Sequence, residues 1–301
     1  MDTVMTSYRV SFNFSYPQVS SLEMKVALVT GANKGIGYAL VERLAKHYTS
    51  SDDWHIYLTA RDNERGKMAC EKLKQRGLQV KFHQLDITDE NSRKTLIAFM
   101  KKTYSNGINV IVNNAGMAYK NDAPELFGEN ARITIDTNFT SNVDFTLDCL
   151  PLMVKDARIV NVCSMLARVA YKRLSAPLAA KFNSSMTLDQ LRLLMNEFVK
   201  HAEAGDHEQY GWPSLTYGVS KLGFTKATYI LADMLKDDPR KIIINACCPG
   251  YVDTDMTDHK GSKTPEQGAD TLFYLATLPP GVTEPFGQFV HDRKVHKFLN
   301  T

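Results

Sequence analysis

Two side chains four residues apart, Tyr217 and Lys221 in the run Tyr217-Gly-Val-Ser-Lys221, are the pair in this chain best suited to moving a proton. On a helix that spacing puts phenol and ammonium on one face, within reach of each other. An unperturbed phenol keeps its proton at neutral pH, since its reference pKa is about 10. A nearby cation favours phenolate and lowers that value, and each tenfold gain in acidity corresponds to about 1.4 kcal/mol. Such a group can donate to a carbonyl oxygen or accept from an alcohol. Tyrosine and lysine share helix faces in many proteins without any such role, so the pair takes its meaning from what stands upstream.

Upstream stands Thr30-Gly31-Ala-Asn33-Lys34-Gly35-Ile36-Gly37. It follows Val26-Ala-Leu-Val29, a short apolar run with β-branched residues that reads as a buried parallel strand. After it, Ile36, Ala39, Leu40 and Leu44 recur at helical spacing. Strand, glycine turn and helix in that order build the first half of a dinucleotide-binding unit. The helix N-terminus attracts pyrophosphate, and glycines let backbone and phosphate approach closely. The spacing is G-x-x-x-G-x-G rather than the G-x-G-x-x-G of the usual fingerprint.

Further strands are predicted at His55 to Thr59, Val80 to Leu85, Val110 to Val112, Arg158 to Val162 and Ile242 to Ala246, with a helical segment over Ile135 to Leu150. Strands and helices alternate without a linker, which favours one α/β domain over two. The third of these strands runs into Asn113-Asn114-Ala115-Gly116. The motifs T-G-x-x-x-G-x-G, N-N-A-G and Y-x-x-x-K, in this order, resemble those of the short-chain dehydrogenase/reductase family over residues 24 to 290. The resemblance implies a doubly wound parallel sheet of Rossmann type and hydride transfer to or from a nicotinamide cofactor. Within the family it is strongest to the NADPH-dependent carbonyl reductases, through N-K-G-I-G, L-T-A-R-D, F-H-Q-L-D-I, Gly211-Trp212-Pro213, N-A-C-C-P-G and Gly287-Gln-Phe-Val290.

The resemblance assigns four residues to the reacting centre. Tyr217 protonates the carbonyl oxygen, and Lys221 lowers the phenol pKa and binds the nicotinamide ribose. Ser164 holds the carbonyl and stabilises developing oxyanion charge. Asn138, in the run I-D-T-N-F, corresponds to the asparagine that anchors a proton-relay water. It also assigns Gly31, Asn33, Lys34, Gly35, Ile36, Gly37, Asp86, Ile87, Asn113, Val252, Asp253 and Thr254 to the cofactor, with Asp86 at the adenine. A bland reading of Asp86 is the N-cap of a helix before Glu90.

The choice of nicotinamide turns on the end of the second strand. Enzymes that prefer NAD carry an acidic residue there, and those that prefer NADP a basic one for the 2′-phosphate. Here Ala60 leaves the acidic position empty and Arg61 offers a planar fork suited to phosphate. Lys34 and Arg65 add positive charge, so NADP(H) is the expected cofactor; Asp62 is discordant unless it points away. Met117, Tyr119, Trp212, Tyr251 and Met256 are expected to form an apolar substrate wall, with Ser164, Trp212 and Tyr251 touching the substrate. The resemblance also places Cys248 beside the cofactor, as a buried inert thiol with a reactive one as the alternative.

From Ser164 to Tyr217 the chain advances 53 residues, far more than the short connection usual in the family. In this insertion, about residues 166–212, Leu188, Leu191, Leu194, Met195, Phe198, Val199 and Ala202 form an amphipathic helical stripe. An insertion at this place resembles that of the monomeric carbonyl reductases, where it covers the surface that oligomeric relatives use to associate. The expectation is a monomer that reduces quinones, aromatic aldehydes and ketones. An alcohol or hydroxysteroid dehydrogenase and a non-catalytic nucleotide sensor remain open alternatives.

The bulk numbers agree with a cytoplasmic enzyme of small molecules. The chain has 301 residues, 44% hydrophobic content and net charge +3, enough for a large core and too balanced for nucleic acid. Five cysteines without C-x-x-C spacing suit a reducing compartment and offer no metal motif. No apolar run approaches the ~18 residues of a membrane span. Residues 1–23 lack the apolar core of a secretory signal and carry Arg9 as their one basic residue; they read as a disordered extension before a domain of residues 24–301.

Overall fold

The computed structural model describes residues 24–49, 53–119, 126–297 and 299. The reading of residues 1–23 as an extension therefore lies outside the described residues. Eight strands form one sheet in the order β3-β2-β1-β4-β5-β6-β7-β8. They are β1 (Lys25–Val29), β2 (Trp54–Ala60), β3 (Lys81–Gln84), β4 (Ile108–Asn113), β5 (Met153–Val162), β6 (Ile243–Cys248), β7 (Phe289–His291) and β8 (Lys294–Val295). Every pairing is parallel except β7 with β8. The order reverses at β1, where β2 lies on one side and β4 on the other. In a doubly wound sheet this is the crevice where ligands bind, beyond the carboxyl ends of the strands.

The central strands are apolar on both faces because both faces are covered. In β1, Ala27 and Val29 enter the core formed with α1 (Gly35–His47) and α10 (Pro265–Ala276). Val26 and Leu28 enter the opposite core with α3 (Glu90–Thr103), α5 (Ser141–Cys149) and α9 (Thr216–Leu235). This two-sided burial explains a strand that reads as a continuous hydrophobic run. Each fully buried Leu or Val contributes about 1.5–3 kcal/mol relative to exposure. Helix α2 (Asn63–Gln75) follows β2, completing the first β-α-β units.

The sequence segment 135–150 is only part of a longer helical stretch. Helix α4 (Phe127–Ile135) passes through a π-helical turn at Asp136–Thr140 and continues as α5. The insertion folds as α6 (Leu166–Lys172), α7 (Ala176–Asn183) and α8 (Leu188–Ala204). A capping box between Thr187 and Gln190 starts α8, and left-handed Gly205 ends it. The predicted stripe is its buried face: Leu191, Leu194, Met195, Phe198 and Ala202 are buried, with Leu188 and Val199 packed at the margin. That face lies on α4 and α9. Contact is close: a Cβ at Gly223 of α9 would come within 2.7 Å of Met195, and one at Gly128 of α4 within 2.5 Å of Glu203 Cα.

Among the described residues, no helix is long and apolar enough to cross a membrane. All five cysteines are free.

Candidate active site

The turns after β1 and β4 are laced together at the crevice. Thr30 Oγ1 accepts from the backbone N–H groups of Asn114 (3.0 Å) and Ala115 (2.9 Å). Asn114 Nδ2 donates to the carbonyls of Thr30 (2.9 Å) and Gly31 (3.1 Å). Gly31 and Gly35 both have left-handed backbone, at φ 60° and 58°. A Cβ at Gly37 would meet Asn114 Nδ2 at 2.5 Å, so no larger residue fits there without displacing the lacing. Helix α1 begins at Gly35 with no side-chain cap and no acidic residue in its first turn. Its leading amides are left to bind an anion, as a pyrophosphate-binding helix requires.

Other predicted cofactor residues fall around this loop. Thr254 Cγ2 would lie 3.3 Å from a Cβ on Gly35, so its segment closes over the glycine turn. Val252 and Ile36 both pack on Gly268 at the start of α10. Asn33 is partly exposed on the loop, and Lys34 is exposed and paired with Asp255. Asp253 is paired with His259.

At the end of β2, Arg61 is exposed and, among the described residues, makes no ion pair. Asp62 is the N-cap of α2: its carboxylate accepts from Arg65 N–H at 2.8 Å and pairs with the Arg65 guanidinium at 3.3 Å. The hydrogen bond from the Arg65 backbone, together with that pairing, holds Asp62 below the usual carboxylate range. The discordant acid is thus occupied by the helix start. Arg65, expected at the phosphate, is turned onto it.

At three further positions the structure shows where the side chain goes. The cap of α3 is Asp89, which accepts from Asn91 N–H, while Asp86 folds back on Thr88 N–H and Oγ1 at 3.0 and 2.8 Å. Ile87 buries its side chain in the core, so only its backbone is left for a ligand. Asn113 is 1% exposed, and its amide donates to Thr146 Oγ1 and Asn161 Oδ1, both at 2.8 Å. Asn161 in turn donates to Thr228 Oγ1 at 2.9 Å. The Asn113 side chain therefore ties β4 to β5 and the helices below rather than facing the crevice. Its neighbour Asn114, to which the motif assigns no separate role, is the one that laces the loop. The period-two alternation of strand side chains was the available signal, because neighbours in Asn113-Asn114 must point opposite ways.

The four proposed reacting-centre residues converge beyond β4 and β5. Lys221 is buried on α9 and donates to the carbonyl of Val162, at the end of β5, at 2.7 Å. Its Nζ lies 5.8 Å from the Tyr217 ring centroid. Ser164 sits two residues beyond β5, and its hydroxyl acts on the Tyr217 phenol to lower its pKa. Asn138, in the π-helical turn, donates to Met117 O at 2.8 Å and Ser220 Oγ at 3.1 Å and accepts from Met117 N–H at 2.8 Å. A Cβ at Gly116 would come 3.1 Å from Asn138 Oδ1 and 3.4 Å from Lys221 Nζ, so these two groups face one point of the chain.

The electrostatics differ from what the Tyr-Lys spacing implies. Tyr217 keeps some exposed surface, but its hydroxyl end is enclosed. Burial pushes the phenol well above its usual pKa, and the Ser164 hydroxyl opposes this only in part. Burial likewise pushes the Lys221 ammonium down. Burial dominates the phenol here, and the Lys221 ammonium donates to a strand carbonyl. Cys248 accepts from Met165 and Gly250 N–H, both at 3.3 Å, and burial raises its thiol, consistent with an inert cysteine.

The substrate wall also changes. Trp212 is 3% exposed and packs against Phe182 and Phe198, with ring centroids 6.1 and 5.2 Å away. It holds the insertion together and is almost wholly enclosed by it. Tyr251 and Met256 remain, 54% and 44% exposed at the crevice mouth, with Met117 and Tyr119 partly exposed.

Residues 25–200 match the family model described as short chain dehydrogenase. The chain belongs to that family. It is 45% identical over 278 residues to carbonyl reductase [NADPH] 1 of Rattus norvegicus, covering 91% of this chain and 99% of the relative. It is 44% identical over 278 residues to carbonyl reductase [NADPH] 3 of Homo sapiens, covering 91% and 98%. Among solved structures it is similar to salutaridine reductase from Papaver somniferum, with a TM-score of 0.78, 28% identity, and 89% and 99% of the two chains covered. Menthone neomenthol reductase from Mentha piperita follows at a TM-score of 0.72 and 27% identity, covering 89% and 98%. The family resemblance read from the motifs is therefore correct, as is the single α/β domain with a doubly wound, mostly parallel sheet.

Proposed function

We propose that this chain is an NADPH-dependent carbonyl reductase acting on quinones, aromatic aldehydes and ketones. The observation that carries the reading is the convergence of Ser164, Tyr217, Lys221 and Asn138 beside an uncapped, glycine-lined helix start at the switch point of the sheet. The names of the relatives, carbonyl reductase [NADPH], support a carbonyl substrate and the cofactor.

The residues present fit a dinucleotide. The first-turn amides of α1 suit its pyrophosphate, and exposed Arg61 suits a 2′-phosphate. When bound, the reduced nicotinamide supplies the hydride. Ser164 holds the carbonyl oxygen and orients it toward Tyr217. Tyr217 gives its hydroxyl proton to that oxygen, and its raised pKa keeps the proton in place until negative charge develops there. Lys221, pinned to Val162 O, keeps the base of this arrangement rigid, and its remaining ammonium hydrogens would hold the ribose. Asn138 fixes the Met117 backbone next to Gly116. Tyr251 and Met256 give a flat, adaptable apolar rim suited to varied carbonyls.

The α8 face laid across α4 and α9 favours a monomer, because it occupies the surface of those helices that a second copy would need. A cytoplasmic setting accords with five free thiols. The test is NADPH oxidation over a panel of quinones, aromatic aldehydes, ketosteroids and pterins, with NADH in parallel. Turnover of quinones with NADPH preference is expected. No turnover of any carbonyl, or a preference for NADH, would refute the assignment.

A further inference from the structure

The loop that follows β6 reaches back to the glycine turn through a compact charged knot. Val252 bridges Lys263; Asp253 N–H donates to Lys263 O at 2.8 Å and Lys263 N–H to Tyr251 O at 3.0 Å, which closes residues 252–263 into a loop. A Cβ at Gly261 would lie 2.0 Å from the Val252 carbonyl carbon, so the returning chain lies directly on the outgoing one. Asp258 and His259 both adopt left-handed backbone, at φ 51° and 57°, and the imidazole stays exposed at the surface of the loop. Consecutive left-handed residues that are not glycine are costly, and such strain is held where the surroundings fix it.

There His259 meets two carboxylates at once. Its Nδ1 lies 2.7 Å from Asp253 Oδ1 and its Nε2 3.1 Å from Asp255 Oδ1. Neutral imidazole has one N–H, so both contacts are hydrogen bonds only when the ring is protonated. The other oxygen of Asp255 pairs with Lys34 in the glycine turn. The hydrogen bond to Asp253 holds His259 above its usual pKa, and the Lys34 pairing holds Asp255 below its own. Asp253, Asp255 and Lys34 are the charged groups facing the ring; Asp258 and Lys260 flank it in sequence, and Lys263 is drawn away onto Asp292 at 2.5 Å.

We propose that Asp253, Asp255 and His259 form a pH-sensitive strap that competes with the phosphates of the cofactor for Lys34. The inference rests on the proposed use of this loop for NADPH. With His259 protonated, two cations balance two carboxylates and Asp255 shares its charge between them. Loss of the proton leaves excess negative charge beside the glycine turn and gives Asp255 only Lys34 to hold. Affinity for the anionic cofactor therefore falls as pH rises through the pKa of His259. By linkage, bound cofactor raises that pKa in return.

The test is the NADPH dissociation constant of wild type, His259→Gln and Asp255→Asn between about pH 6 and pH 9 at low ionic strength. Titration of the cofactor's own phosphate is common to all three proteins and cancels in their ratios. Exposed ion pairs are weak, so wild type should bind about two- to fivefold tighter than His259→Gln at the acid end. At the alkaline end the two should converge, while Asp255→Asn binds tighter than either. Salt at about 0.5 M should shrink every difference. His259→Gln running parallel to wild type across the range would overturn the strap and leave the proposed function standing. Failure of all three proteins to bind NADPH at any pH would overturn both.

Discussion

Replacing Tyr217 by Phe removes one oxygen atom and tests the proposed acid directly. The ring stays where it is, and Lys221 keeps its bond to Val162 O, so the groove is preserved. Any polar interaction lost at this hydroxyl is of the size of one hydrogen bond, about 0.5–1.5 kcal/mol, leaving the variant close to wild type in stability. A positioned general acid contributes about 10²–10⁴-fold. At 1.36 kcal/mol per decade, that loss is about 2.7–5.4 kcal/mol of transition-state stabilisation. The variant should bind NADPH within about twofold of wild type and lose carbonyl reduction by the full factor. Fluorescence titration gives the first quantity and steady-state NADPH oxidation the second. Turnover within about threefold of wild type would refute the assignment of Tyr217 as acid.

The raised phenol pKa adds a pH signature to the same experiment. A phenol held above its ordinary value of about 10 stays protonated throughout the neutral range. Reduction at saturating NADPH should therefore be flat with respect to this group from about pH 6 to pH 9. Alcohol oxidation needs the phenolate as base and should climb about tenfold per pH unit over that range. A reductive limb that falls with a midpoint near pH 7 would show that the phenol pKa is lowered, as the lysine spacing alone suggests.

Two other perturbations probe the cofactor and the insertion. Arg61→Ala removes a cation that, among the described residues, no carboxylate holds, whereas Arg65 is engaged by Asp62 and Lys34 by Asp255. A charged hydrogen bond of about 1.5–3 kcal/mol predicts roughly 10- to 100-fold weaker NADPH and nearly unchanged NADH, by parallel titration. Equal losses for both cofactors would remove the phosphate role. Phe198→Ala empties a fully buried site between Trp212 and Phe127 and should cost about 3–5 kcal/mol in urea denaturation. If α8 is what shields α4 and α9, the same variant should also show concentration-dependent sedimentation that wild type lacks. A cost under about 1 kcal/mol would mean that the insertion is loosely seated.

What could be read from the chain was local, and what could not depended on partners far away in sequence. The apolar runs identified β1, β4, β5 and β6 because burial on both faces makes their central positions mostly hydrophobic. The stripe of α8 was legible for the same reason, since its 3.6-residue period states which face is covered. The π-helical turn that carries Asn138 leaves no such mark, because one wider turn shifts the phase without changing the kind of residue. Trp212 lies close to Tyr217 in sequence, which says nothing about direction; Phe182 and Phe198, from two helices of the insertion, take its ring inward. Lys221 makes the point most sharply. Its spacing from Tyr217 fixes a shared helix face, yet a flexible ammonium goes to the best acceptor it can reach. That acceptor is Val162 O, 59 residues earlier, on a strand that the helix meets only after folding. Spacing can therefore name the reacting groups, while the proton affinity of Tyr217 is set by the enclosure that distant elements build around it.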